Sequence, residues 1–182
     1  MAAPAQSITL LVDGYNIIGA WTHLKRLRDR HGLEAARNHL IEVLSNYSAF
    51  QGYQTHLVFD AHYQKTIGHG EVITETLQVY YTPFGQTADT HIEIFCARTR
   101  KMALDQSYRV IVATSDRAQT LTVIGYGAEW MSAHKLWAET ELVTTRIQRQ
   151  KARRQKRSGG LLHHALDPAA QQRLEQLRRG VQ

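Results

Sequence analysis

Ile8-Thr9-Leu10-Leu11-Val12-Asp13-Gly14-Tyr15-Asn16 decides the fold of this chain. A short, almost unbroken apolar run reads as a strand buried on both faces, and the carboxylate and glycine after it mark where it stops. The pattern returns twice. Asp60 follows the strand-like run Thr55 to Phe59, and Asp116 follows Arg109 to Ser115. Helical patterns separate the runs: Leu33, Ala36, Leu40, Val43, Leu44, Tyr47 and Phe50, then Ile92, Phe95, Cys96, Thr99 and Met102. Strands joined through helices imply right-handed parallel crossovers. The expected fold is therefore α/β, a three-layer α/β/α sandwich with a central, mainly parallel sheet.

The rest of the chain fits around this frame. Gln51-Gly52 ends the helix over residues 33–50. Residues 61–70 read as a mobile surface loop, and Glu71 to Thr82 as one broken strand ending at Pro83-Phe84-Gly85. A short helix after Thr114 is stopped by Gly125 or Gly127, and Ala128 to Met131 form a brief last strand. A long helix starts near Ser132, turns Leu136, Thr140, Val143 and Ile147 inward, and breaks at Ser158-Gly159-Gly160. Pro168 then opens a last short helix.

Composition sets further bounds. A chain of 182 residues with 43% hydrophobic content can build one ordinary core plus an appendage. Its apolar runs are too short for a transmembrane helix, its first residues lack the pattern of a signal peptide, and Cys96 is its single cysteine. These features point to a reducing, cytoplasmic setting with no membrane partner. The net charge of +6 is concentrated: residues 1–145 carry −2, and residues 158–182 carry +1. The +7 between them comes from Arg146, Arg149, Lys151, Arg153, Arg154, Lys156 and Arg157, with no acid among them. Two parts follow, a body over residues 1–145 and a basic helical extension over 146–182. A polyanion such as RNA is the natural partner of the extension.

In open α/β sheets, ligands bind outside the carboxyl ends of the strands, where Asp13, Asp60 and Asp116 all fall. Asp89 opens the second helical pattern, and Glu93, four residues on, shares its face. Crowded carboxylates repel, and a cation relieves the repulsion. Mg²⁺ and Mn²⁺ prefer such oxygen ligands and activate water against phosphate esters. Asn16 can add a neutral oxygen or fix a phosphate. Taken singly, each aspartate could instead cap a helix or brace a turn, Asp60 most readily. His62 and Ser115 lie beside Asp60 and Asp116 as supporting groups; His91, between Asp89 and Glu93, points off their face toward solvent. Tyr63 and Phe84 offer rings at the rim. Cys96 reads as core, and the scattered histidines lack zinc spacing.

Other α/β chemistries fit poorly. There is no Gly-x-x-x-x-Gly-Lys-Ser/Thr loop, and Gly125-Tyr126-Gly127 lacks the third glycine of a dinucleotide fingerprint. Ser115 sits in no Gly-x-Ser-x-Gly elbow. Tyr15 stands where a phosphoaspartate phosphatase would have its second acid.

Val12-Asp13-Gly14-Tyr15-Asn16-Ile17-Ile18-Gly19-Ala20-Trp21 resembles the opening of the NYN-domain nucleases, relatives of the PIN-domain ribonucleases. Val58-Phe59-Asp60-Ala61-His62, Thr87-Ala88-Asp89 with Ile92-Glu93, and Ala113-Thr114-Ser115-Asp116 resemble the YacP-like branch. Gly125-Tyr126-Gly127-Ala128 and the basic helix also fit, so the likeness spans roughly residues 8–157. It implies a PIN-like sandwich and a metal-dependent endoribonuclease using Mg²⁺ or Mn²⁺. In that pattern Asp13, Asp89 and Asp116 form the metal-holding catalytic centre, with Asn16 and Glu93 in support. The best-known members of the branch cut messenger RNA on the ribosome, which makes the ribosome an implied partner. The alternatives are a catalytically inactive RNA- or ribosome-binding module of the same fold and a metal-dependent phosphatase acting on a small phosphoester.

Overall fold

β1 (Ser7–Asp13) lies between two parallel neighbours, β2 (Gln54–Phe59) and β5 (Tyr108–Ala113), with Val12 level with Leu57 on one side and Ala113 on the other. Leu10, Leu11 and Val12 are all fully buried, which is why the strand reads as an apolar run without alternation. The computed structural model describes residues 7–60, 68–104 and 108–165. Its sheet has the order β3-β4-β2-β1-β5-β6, completed by β3 (His69–Thr74), β4 (Leu77–Tyr81) and β6 (Glu129–Met131). Every pairing is parallel except β3 with β4.

Helices α1 (Gly14–Ala20) and α2 (Thr22–Gln51) pack on one face, and α3 (Ala88–Leu104) and α4 (Arg117–Gly125) on the other. The expected three-layer, mainly parallel sandwich is thus observed. On the α3/α4 side the core gathers Leu11, Val58, Ile92, Cys96, Val112 and Val123. From β1 the chain winds one way to β2; from β4, α3 carries it back across the sheet to β5. The winding therefore reverses between β1 and β5, and a crevice opens at their carboxyl ends. The chain divides into two compact units, Met1–Thr144 and Thr145–Gln182.

Several expectations are corrected. Glu71 to Thr82 is not one broken strand: β3 and β4 form an antiparallel hairpin that turns at Glu75-Thr76. The helix over residues 33–50 is the second arm of a longer α2, kinked at Gly32, where φ is +88°. The long helix α5 (Ala133–Ala165) does not break at Ser158-Gly159-Gly160. Glycine costs a helix only about 1 kcal/mol against alanine, which helical residues on both sides can offset. His69 and Gly70 belong to β3 rather than to a loop, while His62 and Tyr63 lie outside the described residues, as does the helix expected at Pro168. Among the described residues no helix is long and apolar enough to cross a membrane.

Gly14 is required by packing. A Cβ at this position would collide with the ring of Phe59, whereas one at Gly19 meets nothing within 4 Å. Overpacking of this kind typically costs about 1–3 kcal/mol. Gly14→Ala is expected to lower the urea midpoint accordingly, while Gly19→Ala, in the same helix, leaves it unchanged or slightly raised.

Candidate active site

Asp13 is the last residue of β1 and the N-cap of α1, accepting a hydrogen bond from the Asn16 backbone N–H at 3.2 Å. Asp116 plays the same part after β5. Its Oδ1 accepts from Ala118 N at 2.7 Å and Gln119 N at 3.1 Å, capping α4. Both helices start on an aspartate because a carboxylate satisfies their free N–H groups and the positive end of the helix dipole. Asp60 follows β2 and accepts from the Ala88 backbone N–H, bracing the start of α3, the bracing role its position allowed. That contact places Asp89, the second residue of α3, across the crevice from β1.

Asp13 and Asp89 meet side chain to side chain. Burial, opposed by the Asn16 N–H and reinforced by the charges of Asp89 and Asp60, pushes the Asp13 carboxyl up to about 7. Asp89 is also raised, first by burial, then by Asp116, Asp60 and Glu93, while its hydrogen bond with Asp13 pulls it down. Asp13 therefore holds its proton more tightly than an ordinary carboxyl does. Asn16 accepts from the Ser115 backbone N–H through Oδ1 at 2.7 Å and so ties the end of β5 to α1. Glu93 is half-buried one turn along α3 and adds its charge to the same field.

Sequence reasoning missed Gln119. It is almost fully buried, and its Nε2 donates to Asp89 Oδ1 at 2.6 Å, fixing that carboxylate toward the crevice. The sign was present: a polar residue at the position four before Val123, on the buried face of a short helix. Arg37 was also missed. Its guanidinium reaches Tyr15 Oη at 3.3 Å and lies 6.0 Å from the Tyr81 ring, bringing a cation beside α1 from residue 37. His91 is not solvent-exposed; it is half-buried and stacked on Tyr80 at 4.1 Å, with burial lowering its pKa.

Among the described residues no three His, Cys, Asp or Glu side chains close around one point tightly enough to form a metal cage. What the structure assembles is a close carboxylate pair, Asp13 and Asp89, with Asp116, Asp60 and Glu93 coupled to it by charge. This donor set fits a hard divalent cation of the Mg²⁺ or Mn²⁺ kind, which takes one or two protein carboxylates and fills its remaining positions with water and phosphate oxygen. The raised Asp13 pKa reflects first its burial and then the neighbouring charges of Asp89 and Asp60, and a bound cation would offset both.

A family model described as YacP-like NYN domain matches residues 10–179. An uncharacterized protein, YacP, of Bacillus subtilis strain 168 is 36% identical over 141 residues, covering 78% of this chain and 79% of its own. The crystal structure of Rae1 (YacP) from Bacillus subtilis is 34% identical with a TM-score of 0.66, over 94% of this chain and 95% of that one. A tryptophan-to-leucine variant of it gives 31% and 0.68, over 93% and 98%.

Proposed function

This chain belongs to the YacP-like NYN domain family, whose members are nuclease-like, and from that premise we propose that it is a divalent-metal-dependent endoribonuclease acting on messenger RNA at the ribosome. The observation that carries the proposal is the pairing of buried Asp13 with half-buried Asp89, crowded at the crevice where the sheet reverses its winding. Asp13, Asp89 and Asp116 would hold Mg²⁺ or Mn²⁺. When bound, the ion supplies charge neutralisation on the phosphate and a more acidic attacking water. Gln119 keeps Asp89 turned toward the crevice, and Asn16 holds the two strand-end loops at a fixed separation. Glu93 can accept a proton from water or orient it, and Arg37 offers a cation to the RNA backbone.

The test is single-turnover cleavage of an end-labelled RNA with Mn²⁺ and with EDTA, beside a chromogenic phosphomonoester under the same conditions. Cleavage of RNA with Mn²⁺, none with EDTA, and no turnover of the monoester are expected. RNA binding without cleavage under any metal would support the inactive binding module instead. Turnover of the monoester alone would support the phosphatase.

The basic segment anchors RNA in this reading. Arg149, Lys151, Arg153 and Arg154 are exposed on α5. Each phosphate neutralised on a single strand contributes about −0.7 to the slope of log affinity against log salt. Replacing these four by Gln is expected to weaken RNA binding and make that slope shallower by about 3, as read by filter binding between 50 and 200 mM salt. An unchanged slope would show that these side chains are merely solvated.

A further inference from the structure

We infer that a cavity at the end of α1 opposite Asp13 is a nucleobase-binding subsite, which takes a base of the RNA strand flanking the bond to be cut; this rests on the ribonuclease reading above. The cavity measures about 520 Å³, within the range of clefts that hold small organic ligands. Its lining is aromatic at heart and polar at the rim. Trp21 is almost fully buried, and its Nε1–H donates to the Ala133 carbonyl at 2.8 Å, so its ring is fixed. The His23 ring stacks on Trp21 at 5.6 Å and lies 4.2 Å from Trp137. Arg26, Ser115 and His134 are exposed and also line the cavity.

Three features select a base over other ligands. The half-exposed rings of His23 and Trp137, backed by the fixed ring of Trp21, give any base a surface to stack on. The Nε2 atom of His23 is buried and has no hydrogen-bond partner among the described residues. Burial, together with the neighbouring His39, disfavours its charged form. A neutral imidazole offers one donor and one acceptor, the complement of a base edge, and an unpaired buried nitrogen asks for such a partner. The third feature is position. Asp13 caps the start of α1, Ala20 and Trp21 follow at its end, and a seven-residue helix is only about 10 Å long. Ser115 lines the cavity while its N–H binds Asn16, and it directly precedes Asp116. A strand whose phosphate lies at the acidic pair thus reaches the cavity within a few nucleotides, with Arg26 at the rim for its backbone.

The test uses the full chain in EDTA throughout, so that no cleavage intervenes. AMP, GMP, CMP and UMP are titrated against tryptophan fluorescence, with ribose 5-phosphate as the control lacking a base. Saturable quenching by at least one nucleotide, at least tenfold tighter than by ribose 5-phosphate, is expected. That nucleotide should compete with an RNA oligonucleotide for binding. His23→Ala should weaken nucleotide binding about tenfold or more, and His23→Phe, which keeps a ring but removes the nitrogen, severalfold; circular dichroism melts show whether each variant is folded. Equal quenching by ribose 5-phosphate, unchanged affinity in folded His23 variants, or nucleotide binding that leaves RNA affinity untouched would each overturn the subsite. Base-dependent quenching that competes with RNA, in a protein that never cuts RNA with Mn²⁺, would support the subsite and overturn the ribonuclease reading.

Discussion

Asp13→Asn is expected to abolish RNA cleavage while making the metal-free protein more stable, two changes of opposite sign from one atom. The activity loss follows from removing one of the two close carboxylates at the crevice, and a loss of roughly 10³-fold or more matches the removal of a preorganised electrostatic group. The stability gain follows from linkage. The carboxyl of Asp13 is pushed from an ordinary 3.8 up to about 7, mainly by burial. The folded state therefore binds this proton more tightly than the unfolded chain does. Its contribution is fully present below about pH 3.8 and is lost as pH rises through about 7. At 1.36 kcal/mol per tenfold, the loss amounts to at most about 4 kcal/mol. Asparagine has the same shape, caps α1 equally well and carries no charge. In EDTA the melting temperature of Asp13→Asn should exceed that of the wild type at pH 8, and the two should converge toward pH 5. RNA affinity, measured in parallel, should be unchanged or higher.

Asp116 separates catalysis from capping. Asp116→Asn should lose cleavage to a similar extent yet keep its melting temperature, because asparagine can accept the same bonds from Ala118 N and Gln119 N. Asp116→Ala should lose cleavage and also about 1 kcal/mol of stability, the usual cost of an empty N-cap. Thermal denaturation of the two variants beside a single-turnover assay checks both halves. If Asp116→Asn cuts RNA as the wild type does, Asp116 is only a cap.

The elements legible in the sequence were those whose burial leaves a one-dimensional trace. β1, β2 and β5 are covered on both faces, so their apolar runs stand out, and the second arm of α2 carries an apolar stripe through Leu40, Leu44 and Tyr47. The first arm of α2, from Thr22 to His31, is nearly all polar, and only Leu24 is buried in it, so no period marks it. β3 is mostly exposed, with Val72 among the exposed apolar side chains, and alternation fails there too. The acids at the strand ends could be placed because topology fixes them. Side-chain partnerships could not: Gln119 reaches Asp89 across 30 residues of sequence, and Trp21 reaches Ala133 across 112. His91 was misplaced for the same reason, since the ring that covers it, Tyr80, lies on another element.

A cation that relieves the crowding of Asp13 with Asp89 and also supplies the activity would tie stability to cleavage. A manganese titration followed in the same samples by melting temperature and by RNA cleavage tests it most directly. Both should rise together over one concentration range at pH 8 in the wild type, and Asp13→Asn should show neither rise. Cleavage that persists in EDTA, or a melting temperature that manganese leaves unmoved while cleavage switches on, would contradict it.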